Sequence, residues 1–310
     1  MKILFNKSVM GHNPNCKVEG PYRLSGFSHN RSCSEVNTAE KLMSLVHSPE
    51  HIDKIKGACK NHYTLAEARL SPESYISCVS SLNLGLEAAI ENNFALIHPP
   101  GHHAKRNEAK GLCLFNNMAI LAKYLQENGE RVFIYDFDVH HGDGTQDIFY
   151  KDPEVFYFST HEEGKWPYTG DTSEIGEAGG RGSNANLPLP MGAGDDILKD
   201  SLDVAAKLIW NFNPTKIGIS AGFDAYSKDP LGNLNFSLGG YQYIGRFFRE
   251  LGVPTFAVLE GGYHNDVYDC TRAFVDGING IKIISPQTKS DVKMIDHFQE
   301  TKDKLLEKLD

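Results

Sequence analysis

The sequence predicts an α/β fold with a mainly parallel central sheet. Short apolar runs alternate with longer amphipathic segments along the 310 residues, as in chains built from strand–helix–strand units. Polar and charged side chains follow nearly all of these runs, and loops at the carboxyl ends of parallel strands are where sites form. No Pro/Ser-rich linker or internal repeat divides the chain. We therefore expect a single domain over residues 1–310, with one site at that edge of the sheet.

The elements are predicted from hydrophobic periodicity, taken in chain order. The candidate strands are Ile3–Phe5, Phe94–Ile97, Val132–Tyr135, Val155–Phe158, Ile217–Ser220 and Thr255–Leu259. The candidate helices are Cys33–Val46, Glu73–Glu91, Phe115–Glu127, Asp195–Trp210, Leu238–Leu251 and Asp266–Ile281. A terminal amphipathic helix over about residues 290–309 is expected to pack on the body. The stretch Thr160–Ala193 has no clear element and predicts a long functional loop.

Composition excludes several classes of protein. No run of about 18 apolar residues exists, and the N-terminal apolar stretch is too short for a signal peptide, so we expect a cytoplasmic protein without a membrane partner. The net charge of −9 disfavours direct nucleic-acid binding. Six cysteines without C-x-x-C spacing argue against a cysteine-based metal site and a disulfide framework.

The segment after the strand Val132–Tyr135 carries the strongest chemical signal. On extended chain, Asp136, Asp138 and His140 share one face, and a Gly-Asp-Gly turn follows them. Carboxylate and imidazole groups together suit a divalent metal, Zn²⁺ first. The alternative is a polar loop that happens to follow a core strand, and three acids and two histidines in eight positions argue against it.

A third metal ligand must come from elsewhere in the chain. Asp224 follows another strand in a turn of small residues and completes a set with Asp138 and His140 that leaves one position open, as a catalytic metal requires. The alternative for Asp224 is a turn-forming or helix-capping role. The set is rich in oxygen, so Fe²⁺ is an alternative occupant to zinc.

Acid–base groups are predicted after the strand Phe94–Ile97. His102 and His103 follow Pro-Pro-Gly, and imidazole titrates near working pH. Asp136 and Asp143 exceed the needs of a metal, and each is available to orient one of these rings. Tyr263, after Gly-Gly, carries a phenol suited to stabilising an oxyanion, although a lone tyrosine there is more often a packed aromatic.

Taken as a set, these motifs resemble the histone deacetylase / acetylpolyamine amidohydrolase superfamily, in a compact, class II-like, bacterial-type form. The matching segments follow the family's order and include His98-Pro-Pro-Gly-His-His-Ala104, Asp136-x-Asp138-x-His140-His-Gly-Asp143-Gly-Thr145, Ser220-Ala-Gly-Phe-Asp224, Asp229-Pro-Leu-Gly232, Leu259-Glu-Gly-Gly-Tyr263, Gly111-x-Cys113-x-Phe115-Asn-Asn117 and Pro21-x-Arg23-Leu24. The resemblance implies a three-layer arginase/deacetylase-like fold.

It also implies a metal complement. Zn²⁺ would be held by Asp138, His140 and Asp224, and a structural K⁺ would lie near Asp136 with Ser159 as its side-chain neighbour.

The resemblance further implies a role for each catalytic residue. His103 would act as general base and then acid, with His102 assisting electrostatically. Asp136 and Asp143 would be the respective partners of His102 and His103. Tyr263 would polarise the amide carbonyl.

The expected substrate channel departs from the family pattern. Leu112 stands where an aromatic is common, and Trp166 stands on the opposite wall where Phe is usual. Leu231 matches lysine deacetylases, whereas polyamine-selective eukaryotic relatives carry an acid at that position. Gly111 and Gly261 complete the expected channel.

Two further expectations concern charge near the site. His98 replaces a usual Arg, so a local salt link is expected to be absent. The candidates for anionic charge at the rim, with solvated loop acids as the alternative reading, are Glu19, Glu162 and Glu163.

The sequence thus predicts a zinc-dependent amidohydrolase that removes an acetyl group from a primary amine. Acetyl-lysine in peptides or proteins is favoured as the substrate, and a small acetylated polyamine is the alternative. A binuclear Mn²⁺ ureohydrolase would need extra ligands in place of His102 and His103. A non-catalytic binding module would lack at least one of the site residues. The sequence gives no indication of oligomeric state.

Overall fold

A computed structural model describes residues 1–16, 18–28, 36–281 and 284–309. Its centre is a seven-stranded parallel sheet in the order β1-β4-β9-β8-β5-β6-β7, with a separate antiparallel hairpin, β2-β3. The strands are β1 Ile3–Leu4, β2 Thr64–Leu65, β3 Ala68–Arg69, β4 Phe94–Ala95, β5 Val132–Asp136, β6 Val155–Glu162, β7 Asn184–Leu189, β8 Lys216–Ala221 and β9 Thr255–Leu259. This confirms the predicted α/β fold with a mainly parallel sheet.

The helices alternate with the strands along the chain. They are α1 Val36–Met43, α2 Pro49–Lys60, α3 Pro72–Glu91, α4 Asn117–Glu127, α5 Asp143–Phe149, α6 Asp195–Phe212, α7 Leu238–Leu251, α8 Val267–Asn279 and α9 Val292–Leu309. Every residue of β5, β8 and β9 is buried, which explains why these strands read as near-continuous apolar runs. None of the helices in the described residues has the length and apolar character needed to cross a bilayer.

The residue that caps helix α4 also connects this helix to two loops at the edge of the sheet. The Asn116 side chain accepts a hydrogen bond from the Ala119 N–H and so begins α4. The same side chain donates to the Ala104 carbonyl and to Thr145 Oγ1, both at 3.1 Å. The start of α4 is thereby tied to the segments that follow β4 and β5.

Three predictions of local structure were wrong or incomplete. The expected loop Thr160–Ala193 contains the end of β6 and the whole edge strand β7. In β7 the buried Asn184 and Asn186, which donate to the Gln146 amide oxygen, interrupt the apolar run, and the alternation of Ala185, Leu187 and Leu189 was the available signal. The expected Gly-Asp-Gly turn begins α5. Helix α2 was not predicted. A helix was predicted over Cys33–Val46; the structure has α1 over Val36–Met43, and residues 33–35 lie outside the described residues.

The register of the sheet brings the strand ends together. Asp136 at the end of β5 is paired with Ser159 on β6 and Ser220 on β8, and Ala221 is paired with Leu259 on β9. Neighbouring parallel strands therefore release their loops at one edge, as the sequence predicts.

Candidate metal and catalytic site

The three residues proposed as metal ligands converge at this edge. Oxygen or nitrogen atoms of Asp138, His140 and Asp224 all lie within 4.8 Å of one another. His140 Nδ1 is 3.1 Å from Asp138 Oδ1 and 3.1 Å from Asp224 Oδ2. Both carboxylates are buried, whereas the His140 side chain is 13% exposed, so the cluster opens towards solvent on its imidazole side.

Backbone N–H groups hold the carboxylates of this cluster. Gly261 N–H donates to Asp138 Oδ2 at 2.7 Å, and Val139 N–H donates to Asp224 Oδ1 at 2.8 Å. A Cβ on Gly261 would lie 2.3 Å from Asp224 Oδ2, and one on Gly222 would lie 2.1 Å from Asp138 Oδ2. Two glycines are therefore required for the carboxylates to meet. Two fixed carboxylates and one imidazole fit a zinc ion with an open position.

Each histidine of the Pro-Pro-Gly-His-His segment contacts its own aspartate. His102 Nδ1 is 3.1 Å from Asp136 Oδ2, and His103 Nδ1 is 2.9 Å from Asp143 Oδ1. The two rings are adjacent, with centroids 4.0 Å apart. Asp136 is fixed further by Tyr157, whose hydroxyl donates to Oδ2 at 3.0 Å.

The surroundings give the two rings opposite charge preferences. Burial disfavours the imidazolium of His102, but the nearby Asp138 and Asp136 carboxylates outweigh it and raise its pKa well above the ordinary value. Burial and the adjacent His102 lower the pKa of His103 to about 3 despite its bond to Asp143. His103 is therefore neutral near pH 7, and His102 is the charged ring.

A buried carboxylate that sequence reasoning missed holds the His-His turn. Glu260 Oε2 accepts hydrogen bonds from Gly101 N–H at 2.7 Å and from His102 N–H at 3.1 Å. Ser220 Oγ lies 3.3 Å from its other oxygen, and burial raises the pKa of Glu260 to about 7. Its position directly after a predicted strand was the available signal.

The segment that carries Tyr263 is anchored by Arg23. The buried guanidinium donates to the Gly262 carbonyl at 2.6 Å and to the Glu260 carbonyl at 2.5 Å. It also lies 4.7 Å from the centre of the Tyr263 ring. Burial raises the pKa of Tyr263 well above its usual range, against the lowering effect of Arg23, so the phenol is protonated.

The expected loss of a salt link at His98 was wrong. Its Nε2 contacts Glu19 Oε1, and the other oxygen of Glu19 accepts from Arg23 Nη1 at 2.8 Å. Glu19 is buried and not a rim charge, and Arg23 and His98 outweigh burial to lower its pKa to about 2. The partner of His98 comes from the N-terminal segment, far away in sequence.

Comparison with known proteins bears on this arrangement. A family model described as the histone deacetylase domain matches residues 21–278. The chain belongs to the histone deacetylase family. It is 38% identical over 275 residues to histone deacetylase 10, chloroplastic, of Oryza sativa subsp. japonica, a match that covers 82% of this chain and 61% of that protein. The chain thus spans about three-fifths of the length of this curated relative.

Two solved structures of the superfamily share the fold. The HDA15 HD domain is 28% identical, with a TM-score of 0.89 over 99% of this chain and 97% of that one. An acetylpolyamine aminohydrolase from Burkholderia pseudomallei is 26% identical, with a TM-score of 0.79 over 91% of this chain and 99% of that one. The histone deacetylase / acetylpolyamine amidohydrolase superfamily and its fold are therefore confirmed.

Trp166 packs beside the histidines of the candidate site. Its ring lies 4.6 Å from the ring of His103 and 6.1 Å from that of His140. A Cβ on Gly111, where φ is +55°, would lie 2.3 Å from the Trp166 ring, so only glycine allows this approach. Leu112, half-buried at φ +67°, turns back so that its N–H donates to Ala66. Gly111 thus lies directly against Trp166.

Two buried histidines hold the loop that carries Trp166 through hydrogen bonds. His141 Nδ1 is 2.8 Å from Thr169 Oγ1, and His161 Nε2 is 3.1 Å from the Gly170 carbonyl. Gly170, at φ +89°, packs against both rings. These contacts fix the loop that carries Trp166.

Asp229 connects Leu231 to Tyr263. Its Oδ1 accepts from the Leu231 N–H at 2.8 Å, and its Oδ2 accepts from the Tyr263 N–H at 2.6 Å. One carboxylate therefore sets the relative position of the half-buried Leu231 and the tyrosine.

Neither of the other two acids proposed for the rim is a free charge. Glu162 is buried, accepts from Asn233 Nδ2 at 2.7 Å and pairs with Lys165 at 3.1 Å. Glu163 is exposed and lies 2.6 Å from His297 on α9.

Glu67 is an exposed acid close to Gly111 that the sequence did not indicate. It lies at the tip of the β2-β3 hairpin, and its Oε2 accepts from the Gly111 N–H at 3.0 Å. The residue is exposed, and it reaches the peptide that packs against Trp166. Ala66 and Glu67 both have positive φ, a conformation that hairpin turns usually fill with Asn, Asp or Gly. The sequence therefore gave no signal for this hairpin turn.

The oxygens proposed for potassium already have partners. Asp136 Oδ1 accepts from Asp138 N–H at 3.1 Å, and Ser159 Oγ is 2.9 Å from His161 Nδ1. Both residues are buried and adjacent in register. A potassium ion there stays a prediction.

Proposed function

We propose that this chain is a zinc-dependent deacetylase that hydrolyses the N-acetyl amide of a primary amine, with acetyl-lysine in peptides or proteins as the favoured substrate. The observation that carries the proposal is the meeting of the Asp138–His140–Asp224 cluster with two separate His–Asp pairs at one edge of the sheet. Three ligands serve a metal, and two imidazoles remain, one for proton transfer and one for electrostatic support.

The metal would be held by Asp138, His140 and Asp224. A bound zinc ion supplies Lewis-acid chemistry to a substrate carbonyl and to water. The same oxygen-rich set also accommodates Fe²⁺. The potassium ion expected near Asp136 and Ser159 and a cytoplasmic location belong to the proposal as well.

The proton transfers are assigned to His103. Its Nδ1 faces Asp143, which favours a proton on that nitrogen and leaves Nε2 as the basic atom. The neutral ring can take a proton from the attacking water and return it to the departing amine nitrogen. His102, whose Nδ1 lies 3.1 Å from Asp136 Oδ2, is placed to offset negative charge that develops on the acyl group.

Tyr263 is assigned to the acyl oxygen. Its phenol remains protonated and can therefore donate a hydrogen bond to an oxyanion. Arg23 and Asp229 hold its backbone from two sides, which limits reorganisation during the reaction.

The channel favours a linear aliphatic chain. Trp166 and the half-buried Leu231 are both apolar, which suits the methylene stem of acetyl-lysine. The alternative, an acetylated polyamine, is favoured by one observation: the exposed Glu67 carboxylate beside Gly111 is available to a second, charged amine.

Turnover on defined substrates tests the proposal. The zinc-loaded protein is assayed with an acetyl-lysine peptide, acetylspermidine and acetylputrescine, and bound metal is measured by elemental analysis. We expect one zinc per chain and release of acetate from the peptide with higher kcat/KM than from the polyamines. Higher kcat/KM on the polyamines would select the alternative, and no acetate release from any substrate would overturn both.

A further inference from the structure

Lys110 makes a contact that the proposed mechanism does not require. Its Nζ lies 2.5 Å from Asp143 Oδ2, while Asp143 Oδ1 is 2.9 Å from His103 Nδ1. The two oxygens of one buried carboxylate therefore connect an ammonium group to the proposed general base. A carboxylate bonded on both oxygens has little freedom to rotate, so Lys110 limits the orientations open to the ring of His103.

The ammonium group is itself held from a second direction. Lys110 Nζ lies 5.1 Å from the centre of the Trp166 ring, and that ring is 4.6 Å from the ring of His103. Each of the four residues Lys110, Asp143, His103 and Trp166 therefore contacts the next, and Trp166 contacts Lys110 again. A cation over an indole face is attracted to it, so the tryptophan favours one position of the lysine.

The backbone also fixes where Lys110 begins. Its N–H donates to the Cys113 carbonyl at 3.1 Å, and the Cys113 N–H donates back to the Lys110 carbonyl at 3.0 Å. Between them, Gly111 and Leu112 have φ of +55° and +67° and form a tight turn. The side chain therefore starts from a constrained point and is only 26% exposed.

A neighbouring lysine shows that the contact is specific. Lys105 Nζ is 3.9 Å from Asp143 Oδ2, beyond hydrogen-bond distance, and 3.7 Å from the more exposed Asp147. Both lysines bring positive charge to the same carboxylate, but only Lys110 donates a hydrogen bond to it. The pair therefore allows the effect of charge to be separated from the effect of position.

We infer that Lys110 is a positioning residue for the deacetylase reaction, which holds Asp143 and through it the His103 ring in the reactive orientation. The inference rests on the proposed function for its role in catalysis. It predicts a loss in kcat, because the substrate channel keeps its walls while the base loses its fixed orientation. Loss of a partner that orients a site residue costs on the order of tenfold.

Kinetics of five variants test the inference. Lys110→Met is expected to lower kcat about tenfold with little change in KM, Lys110→Arg to recover most of the loss, and the matched control Lys105→Met to stay within about twofold of wild type. In an Asp143→Asn background, Lys110→Met is expected to cost nothing further, because the lysine acts through that carboxylate. An equal loss in Lys105→Met, or an additive loss in the double variant, would overturn the inference.

A measurement without substrate separates this inference from the proposed function. In protein labelled with ¹⁵N-histidine, the Nδ1–H resonance of His103, assigned by its loss in His103→Ala, reports the bond to Asp143. We expect Lys110→Met to shift or broaden it and Lys105→Met to leave it in place. An unchanged resonance in Lys110→Met overturns the positioning role, whereas absence of turnover in wild type counts against the proposed function alone.

Discussion

Replacing Gly261 with alanine should abolish tight metal binding while leaving the fold intact. The added Cβ would lie 2.3 Å from Asp224 Oδ2 and 2.5 Å from Asp138 Oδ2, where an ordinary contact needs at least 3.4 Å. Each oxygen must therefore withdraw by roughly 1 Å, which is about half of a zinc–oxygen bond length. The other oxygen of each carboxylate is held by a backbone N–H: Asp138 Oδ1 accepts from His140 N–H at 2.9 Å, and Asp224 Oδ1 accepts from Val139 N–H at 2.8 Å.

The expected size of the effect follows from that displacement. We expect the zinc affinity of Gly261→Ala to fall by at least about 100-fold, equivalent to roughly 2.7 kcal/mol, and kcat to fall with it. Zinc affinity is measured by competition with a coloured chelator, and the free energy of unfolding of the zinc-free protein is measured in denaturant.

The matched control is Gly57→Ala within α2, where an added Cβ meets nothing within 4 Å. It should keep full zinc affinity and gain about 0.5–1 kcal/mol in the free energy of unfolding, since alanine favours a helix over glycine. If the zinc affinity of Gly261→Ala stays within twofold of wild type, the close approach of Gly261 to the Asp138 and Asp224 carboxylates is not needed for metal binding.

Three further predictions concern the candidate site and the exposed acid beside Gly111. Tyr263→Phe should lower kcat by about 100- to 1,000-fold with zinc content unchanged, and loss of zinc instead would show that the ring is structural. Asp138→Ala should remove bound metal, as measured by elemental analysis after dialysis; a variant that keeps full zinc contradicts the ligand assignment. Glu67→Gln should raise KM for acetylspermidine about three- to fivefold and leave KM for an acetyl-lysine peptide unchanged, since an exposed ion pair contributes little. Equal changes for both substrates would remove Glu67 from amine recognition.

The residues that converge at the sheet edge were predictable because each follows a strand directly. Asp138, Asp224 and Tyr263 each come within four residues of the end of a parallel strand, and parallel strands in one sheet deliver their loops to the same edge. Apolar runs fix where the strands are, so the positions of these side chains follow from the pattern alone.

The supporting contacts were not predictable, because they depend on pairs distant in sequence. His98 meets Glu19 and Gly111 meets Glu67, and nothing in either local pattern announces the partner. The strand β7 was missed for a different reason: one of its two buried faces carries Asn184 and Asn186, which are satisfied by Gln146, so only the alternating Ala185, Leu187 and Leu189 gave an apolar signal.

The contacts of Arg23 mean that the N-terminal segment helps to build a site to which it contributes no ligand. Its guanidinium binds two carbonyls of the segment Glu260–Tyr263, while Glu19 beside it reaches His98 at the start of the histidine turn. A chain shortened to begin after Leu24 would keep all the proposed ligands and both His–Asp pairs. The loops that begin at His98 and at Glu260 would, however, lose their contacts with Glu19 and Arg23. The part of the chain that holds this site therefore extends beyond the segments that carry its ligands and its His–Asp pairs.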